Sequence, residues 1–236
     1  MIVVSKKNII ISIVLIITFL TMLFSVSALS NNPIEDTDSN VITIVLDAGH
    51  GGVDGGVLGA STGVKESDLN LIVVKKLNTL LQSSGFNVVL TRSTEAGLYG
   101  VATSNLKKKD MQKRKEIILK AQPALVVSVH MNKYALSTRR GAQVFYRKDS
   151  EKSKLLANCV QNSFNNMEEA SRECSALSGD YYILNCTSFP SIIAECGFLS
   201  NIEDEKLLVT DKYQDKIAYA LFKGIVNYLI ENVFQF

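Results

Sequence analysis

Apolar residues along this chain follow two rhythms. Runs rich in β-branched residues occur at 41–47 (VITIVLD), 86–92 (FNVVLTR), 124–130 (ALVVSVH), 141–147 (GAQVFYR) and 191–198 (SIIAECGF). Their length and composition predict strands, and the near-continuous ones predict burial on both faces. Between them, apolar positions recur at helical spacing. Leu69, Ile72, Val73, Leu77, Leu80 and Leu81 form one stripe, with Ser67 expected to cap its start and Gly85 to end it. Residues 112–121 and 151–167 also read as helical, and Tyr213, Ile217, Ala220, Leu221, Gly224, Ile225 and Tyr228 stripe a terminal helix. Residues 180–185 (DYYILN) are one more apolar run. The polar stretch 95–111 has no period and reads as an insertion or lid.

Strands alternating with helices predict an α/β fold: a single domain with a twisted, mainly parallel sheet of about six strands and helices on both faces. In such sheets functional groups gather in the loops beyond the carboxyl ends of the strands. Three ionisable residues are expected there: His50 just past strand 41–47, His130 at the end of strand 124–130, and Glu195 closing strand 191–195.

The N-terminus is a separate object. Lys6 and Lys7 precede an apolar run of 18 residues, Ile9 to Val26, and Val26-Ser27-Ala28 offers small residues at cleavage spacing. Bilayer spanning needs roughly 20 residues, so residues 1–28 fit a signal peptide or an N-terminal membrane anchor. Either implies an exported, extracytoplasmic protein, touching a membrane only through this segment. Residues 29–40 (LSNNPIEDTDSN) read as a linker, and 41–236 as the folded domain.

Charge narrows the partners. Residues 1–28 hold two lysines and no acid, so the remainder carries 23 of the 25 basic residues against 23 acidic ones. A neutral domain without a basic stripe argues against nucleic acid. The cluster Lys107-Lys108-Lys109, Lys113, Arg114, Lys115 reads as a solvated helix start. Four cysteines, 159, 174, 186 and 196, match no zinc-ribbon spacing; export permits disulfides, and both pairing and independent buried thiols stay open.

The chain has only two histidines, His50 and His130. His50 sits in VLDAGHGGVDGG (45–56), where glycines let the backbone approach a ligand closely. That run lacks the Gly-Lys-Ser/Thr of a phosphate loop and the register of a dinucleotide loop. Neutral imidazole is the commonest metal ligand. Glu66, 16 residues after His50, is the candidate third ligand, its rival role being a helix N-terminal carboxylate. Two histidines and a glutamate leave one tetrahedral position open, the pattern of catalytic zinc. Asp47 is a candidate to orient an imidazole, with strand-end capping as its rival. Glu195, in an apolar strand, needs a partner if buried; beside activated water it has the task of general base and acid.

These blocks, LDAGHGG (46–52), Lys65-Glu66, TR (91–92), SVHMN (128–132) and AECGFLSN (194–201), resemble the zinc-dependent N-acetylmuramoyl-L-alanine amidases, the third amidase family of cell-wall hydrolases. The resemblance runs from about 41 to 232, in order. It implies one Zn²⁺ per chain held by His50, Glu66 and His130, with Glu195 catalytic, Asn132 completing the Ser-x-His-x-Asn block, and Arg92 and Arg114 in supporting places. It implies peptidoglycan as substrate, cut between N-acetylmuramic acid and L-alanine. Residues 139–146 (RRGAQVFY) and 95–111 look most like the germination-specific amidases of the spore cortex, in which the freed muramic acid is later closed to a lactam by another enzyme. No wall-binding repeats are visible, so the N-terminal anchor, or an accessory or activating protein, is expected to place the domain or open its site. Two departures stand out: Cys196, as a stray ligand or disulfide partner, and Met131, as packing or a narrowing of the groove. A zinc peptidase cutting within stem peptides and a silent wall-binding module are the alternatives.

Overall fold

The computed structural model describes residues 41–232; the expected signal or anchor and the linker lie outside these. Six strands, β1 (Thr43–Ala48), β2 (Asn87–Leu90), β3 (Leu125–Asn132), β4 (Gln143–Tyr146), β5 (Leu177–Ser178) and β6 (Ser191–Phe198), form one sheet in the order β2-β1-β3-β6-β4-β5. The β1–β2, β1–β3 and β3–β6 pairs are parallel. β4 runs antiparallel to β6 and parallel to β5, so the short β4–β5 edge opposes an otherwise parallel sheet. This is the expected α/β architecture.

Period-2 alternation divides the core between two faces. Ile44, Leu46, Ala48, Val127, Val129, Ile192 and Ala194 pack on one face against α1 (Glu66–Ser83), α3 (Glu151–Asn165) and α6 (Asp211–Asn232). This is the thick side of the molecule; Leu77 and Leu221 have no exposed surface there, and truncating such a leucine to alanine costs ~2–5 kcal/mol. Val45, Val126 and Ile193 point to the other face, covered by Ile118 of α2 (Leu106–Ala121) and by Ile183 and Leu184 of α4 (Tyr182–Asn185). That thinner cover leaves part of the second face to polar side chains. Asp47, Ser128, His130 and Glu195 belong to it by alternation, and the register pairs Asp47 with Ser128 and His130 with Glu195.

Several local expectations are corrected. α2 starts at Leu106, six residues before the apolar period predicts, so only 95–105 remains irregular. The reason is that its buried positions are Asp110, Arg114 and Ile118, a sheet-facing stripe whose first two members are charged. Ser67 is not the cap of α1: Lys65 holds that position without a side-chain cap, and the Ser67 hydroxyl donates to Asp68 instead. Gly85 does follow the helix end, at φ 87°. A further helix, α5 (Ile202–Leu208), is capped by the Asn201 side chain, which accepts the N–H groups of Glu203 and Asp204. No helix among the described residues is long and apolar enough to cross a membrane.

Candidate metal centre

β1 delivers its last residues into a tight turn. Gly49 N–H still donates to Val129 O at 3.1 Å, so the chain holds parallel register one residue past the strand. His50 then adopts φ 59°, a left-handed conformation uncommon for a residue with a side chain. Gly51 N–H closes the turn on Asp54 O at 2.8 Å. His130 and Glu195 do not end their strands. β3 continues to Asn132 and β6 to Phe198, and their register slips just after His130, the kind of bulge that re-aims side chains beside functional sites.

The three expected ligands converge. Glu66 is 2% exposed, and its Oε1 lies 3.3 Å from His50 Nε2 and 2.9 Å from His130 Nδ1. The donor atoms of His50, Glu66 and His130 all lie within 4.8 Å of one another, and the two rings meet edge to face with centroids 5.1 Å apart. Glu66 Oε2 accepts Val57 N–H at 2.9 Å, which fixes the carboxylate's rotation. Two glycines make room. A Cβ at Gly49 would strike the His130 ring, and one at Gly56, where φ is 68°, would strike the Glu66 carboxylate.

Burial alone would raise the Glu66 carboxyl, but hydrogen bonds and charge from His130 and His50 hold it far below the carboxylate range. Burial likewise works against a charged His50, and the Glu66 and Asp54 carboxylates outweigh it and raise the imidazole. Glu195 goes the opposite way. Burial pushes it up to about 7, and its Oε2 is enclosed with no hydrogen-bond partner among the described residues. Two carboxyls in one site with pKa values driven apart are suited to different roles, one an ionised ligand and the other a proton carrier.

The supporting residues differ from expectation in one respect. Asp47 hydrogen-bonds to neither imidazole. Its carboxylate accepts Thr91 and Ser128 hydroxyls, each at 2.6 Å, and Arg114 Nη1 at 2.5 Å. Burial would raise it, yet the Arg114 charge and the two hydroxyls lower it to about 2. Arg114 in turn donates to Ala48 O at 2.8 Å and His50 O at 2.6 Å, so Asp47 acts on the His50 backbone through a guanidinium. Asp54 is the group nearest the His50 ring on its other side. Its Oδ1 lies 2.9 Å from Nδ1, close enough for a hydrogen bond but not aligned for one. Sequence reasoning missed Asp54, although it sits within the same glycine run, four residues on. Asn132 lines the cavity, its Oδ1 accepting Lys133 N–H at 2.7 Å. Cys196 and Met131 pack in the core of the opposite face, Met131 also lining the cavity, and all four cysteines are free thiols.

A cavity of about 850 Å³ opens over these groups. Tyr99, Lys107, Lys133, Tyr181 and Tyr182 stand around it. Two imidazoles and a carboxylate, with an orphaned buried carboxyl alongside and open space in front, suit the donor set of a catalytic zinc hydrolase.

The relationships of the chain agree with this class. Residues 44–227 match the family model Amidase_3, N-acetylmuramoyl-L-alanine amidase. The germination-specific N-acetylmuramoyl-L-alanine amidase of Bacillus subtilis (strain 168) is 34% identical over 80% of this chain and 80% of its own length. The structure of the CwlD amidase from Clostridioides difficile in complex with the GerS lipoprotein superposes with a TM-score of 0.78 at 39% identity, covering 81% of this chain and all of that one. An N-acetylmuramoyl-L-alanine amidase from Clostridium difficile 630 gives 0.74 at 28% identity, covering 82% of this chain and all of that one. The chain belongs to the N-acetylmuramoyl-L-alanine amidase family, and its enzymatic activity is that of the family.

Proposed function

We propose that the chain is a zinc-dependent amidase of the spore cortex, in which His50, Glu66 and His130 hold the ion and Glu195 moves the proton. The observation that carries this is the pairing of a ready donor triad with Glu195 Oε2, buried and without a partner. A zinc ion bound there supplies Lewis acidity, polarising the amide carbonyl and acidifying water. Glu195 takes a proton from water as its oxygen attacks the lactyl carbonyl carbon. The same carboxyl then delivers that proton to the alanine nitrogen as the C–N bond breaks. Its elevated pKa suits both halves, because a base that is too weak cannot accept and an acid that is too weak cannot donate. Gly49 and Gly56 keep the donors close, and the Asp47–Arg114 pair holds the His50 carbonyl in place.

The cortex assignment rests on the germination-specific relative and on the CwlD structure. In this reading residues 1–28 export the protein, the domain works outside the cytoplasm in the forespore intermembrane space, and the freed muramic acid proceeds to a lactam in a separate enzyme. The complex of CwlD with the GerS lipoprotein supports an accessory protein for this chain too. Peptidoglycan digestion followed by mass spectrometry tests the bond that is cut. Whole stem peptides bearing a free L-alanine amine are expected; fragments cut inside the stem contradict the reading.

A further inference from the structure

His50 and Glu66 come from different segments, and something must set the gap between them. Arg92, at the end of the run 86–92, is 3% exposed, yet among the described residues no carboxylate hydrogen-bonds to it. Every acceptor it uses is a backbone carbonyl. Nε donates to Ala48 O at 2.9 Å and Nη1 to Thr94 O at 2.9 Å. Nη2 donates to Gly49 O at 2.9 Å and to Ser67 O at 2.8 Å. Gly49 precedes His50 and Ser67 follows Glu66, so one nitrogen ties together the backbones next to two of the three donors. The side chain also lies against the next residue of the turn: a Cβ at Gly51 would sit 3.0 Å from Arg92 Nε. Asn70, fully buried, runs parallel to this tie, its Nδ2 reaching Gly49 O at 3.1 Å and Glu66 Oε1 at 3.3 Å.

Burying a guanidinium is costly, and burial together with the like charge of Arg114 lowers its pKa. A neutral residue could fill the same space with less penalty, but only a planar fork of donors reaches carbonyls of three segments at once. We infer that Arg92 is a positioning residue that sets the spacing between the His50 and Glu66 donors and so governs how tightly the site takes up a divalent metal. The inference rests on the proposed zinc site and adds to it a residue that touches neither metal nor substrate.

Lysine keeps the charge of Arg92 but loses the fork; glutamine keeps a donor and loses the charge. In the full chain, R92K and R92Q are expected to weaken zinc binding about 10–100-fold, the range for groups that orient ligands, as read by competition with a chromophoric chelator. A cobalt-loaded R92K protein is expected to show a shifted d–d spectrum. Q161A serves as the control, because Gln161 ties α3 to β4 by accepting Val144 N–H at 2.8 Å, away from the donors. It is expected to lower the melting temperature of the metal-free protein while leaving zinc affinity unchanged. Wild-type affinity in whichever Arg92 variant folds overturns the inference, as does equal weakening in Q161A at equal loss of melting temperature. A wild-type chain that takes up no zinc overturns the proposed metal site along with it, so the two failures are distinguishable.

Discussion

The floor of the site and its rim are built on different principles. The floor consists of His50, Glu66, His130 and Glu195, set on strands, a helix start and a turn locked to them. Behind it Asp47, Thr91, Arg92, Arg114 and Ser128 are all at most 3% exposed and hydrogen-bonded to one another or to backbone carbonyls. The rim is the opposite. Tyr181 and Tyr182 are 41% and 49% exposed, Lys133 is exposed, and the Tyr181 ring meets Phe145 edge-on and lies against Gly179. Under the proposed mechanism, bond cleavage falls to groups that cannot relax, whereas contact with a long, variable polymer falls to side chains that can. Substitutions in the floor should therefore act on rate or folding, and substitutions on the rim on KM.

The largest effect is expected from Glu195→Gln. It keeps the shape and removes the proton carrier, so turnover should fall by about 10²–10⁴-fold with zinc content unchanged. Wild-type turnover in that variant would detach Glu195 from the chemistry. In the wild-type enzyme kcat/KM should decline as acid protonates this base, at or below pH 7, because a bound dication favours the carboxylate. Asp47→Ala ranks next. It removes one of the two carboxylates paired with buried Arg114, Asp110 Oδ2 remaining 2.6 Å from its Nε, and leaves the Thr91 and Ser128 hydroxyls without their acceptor, so it is expected to cost about 2–3 kcal/mol, read by denaturant unfolding. Lys133→Gln, on the rim, is expected to be smallest. An exposed charge contributes roughly 0.2–1 kcal/mol, so KM should rise no more than about fivefold with kcat unmoved. A large loss of kcat there would erase the distinction between the two regions.

Asp47 also sets an acid limit on the floor. Its carboxyl ionises at about 2 in the fold against 3.8 in the unfolded chain. A depressed carboxylate stabilises fully above the unfolded value, and this is lost as pH falls from 3.8 toward 2. The shift corresponds to roughly 2 kcal/mol. Glu66, also held well below its ordinary range, loses its stabilisation over the same acid window, so metal-free protein melted there should lose more than the Asp47 increment, and Asp47→Asn should lose less than the wild type by roughly 2 kcal/mol.

Much of the floor was legible because its elements obey simple rules. The β-branched run VITIVLD, seven residues long, reads as a buried strand, and two histidines set in or beside strands leave few choices of ligand. The parts that escaped obey no hydrophobic period. α2 hides its start because Asp110 and Arg114, not leucines, face the sheet. Asp47 is legible only as a candidate partner for an imidazole or a strand-end cap, because residue type alone cannot choose between these and a guanidinium 67 positions away. Asp54 lies in a turn whose left-handed residues decide where its carboxylate points. α5 was readable in principle, since Asn201 followed by three acidic residues is a helix-start signal.

The most direct test of the central claim is a crystal structure of the zinc-loaded chain with anomalous scattering at the zinc edge. One peak per chain is expected, ~2.0–2.2 Å from His50 Nε2, His130 Nδ1 and Glu66 Oε1. A peak that leaves out any of these three atoms, or no peak in fully loaded crystals, would contradict the account.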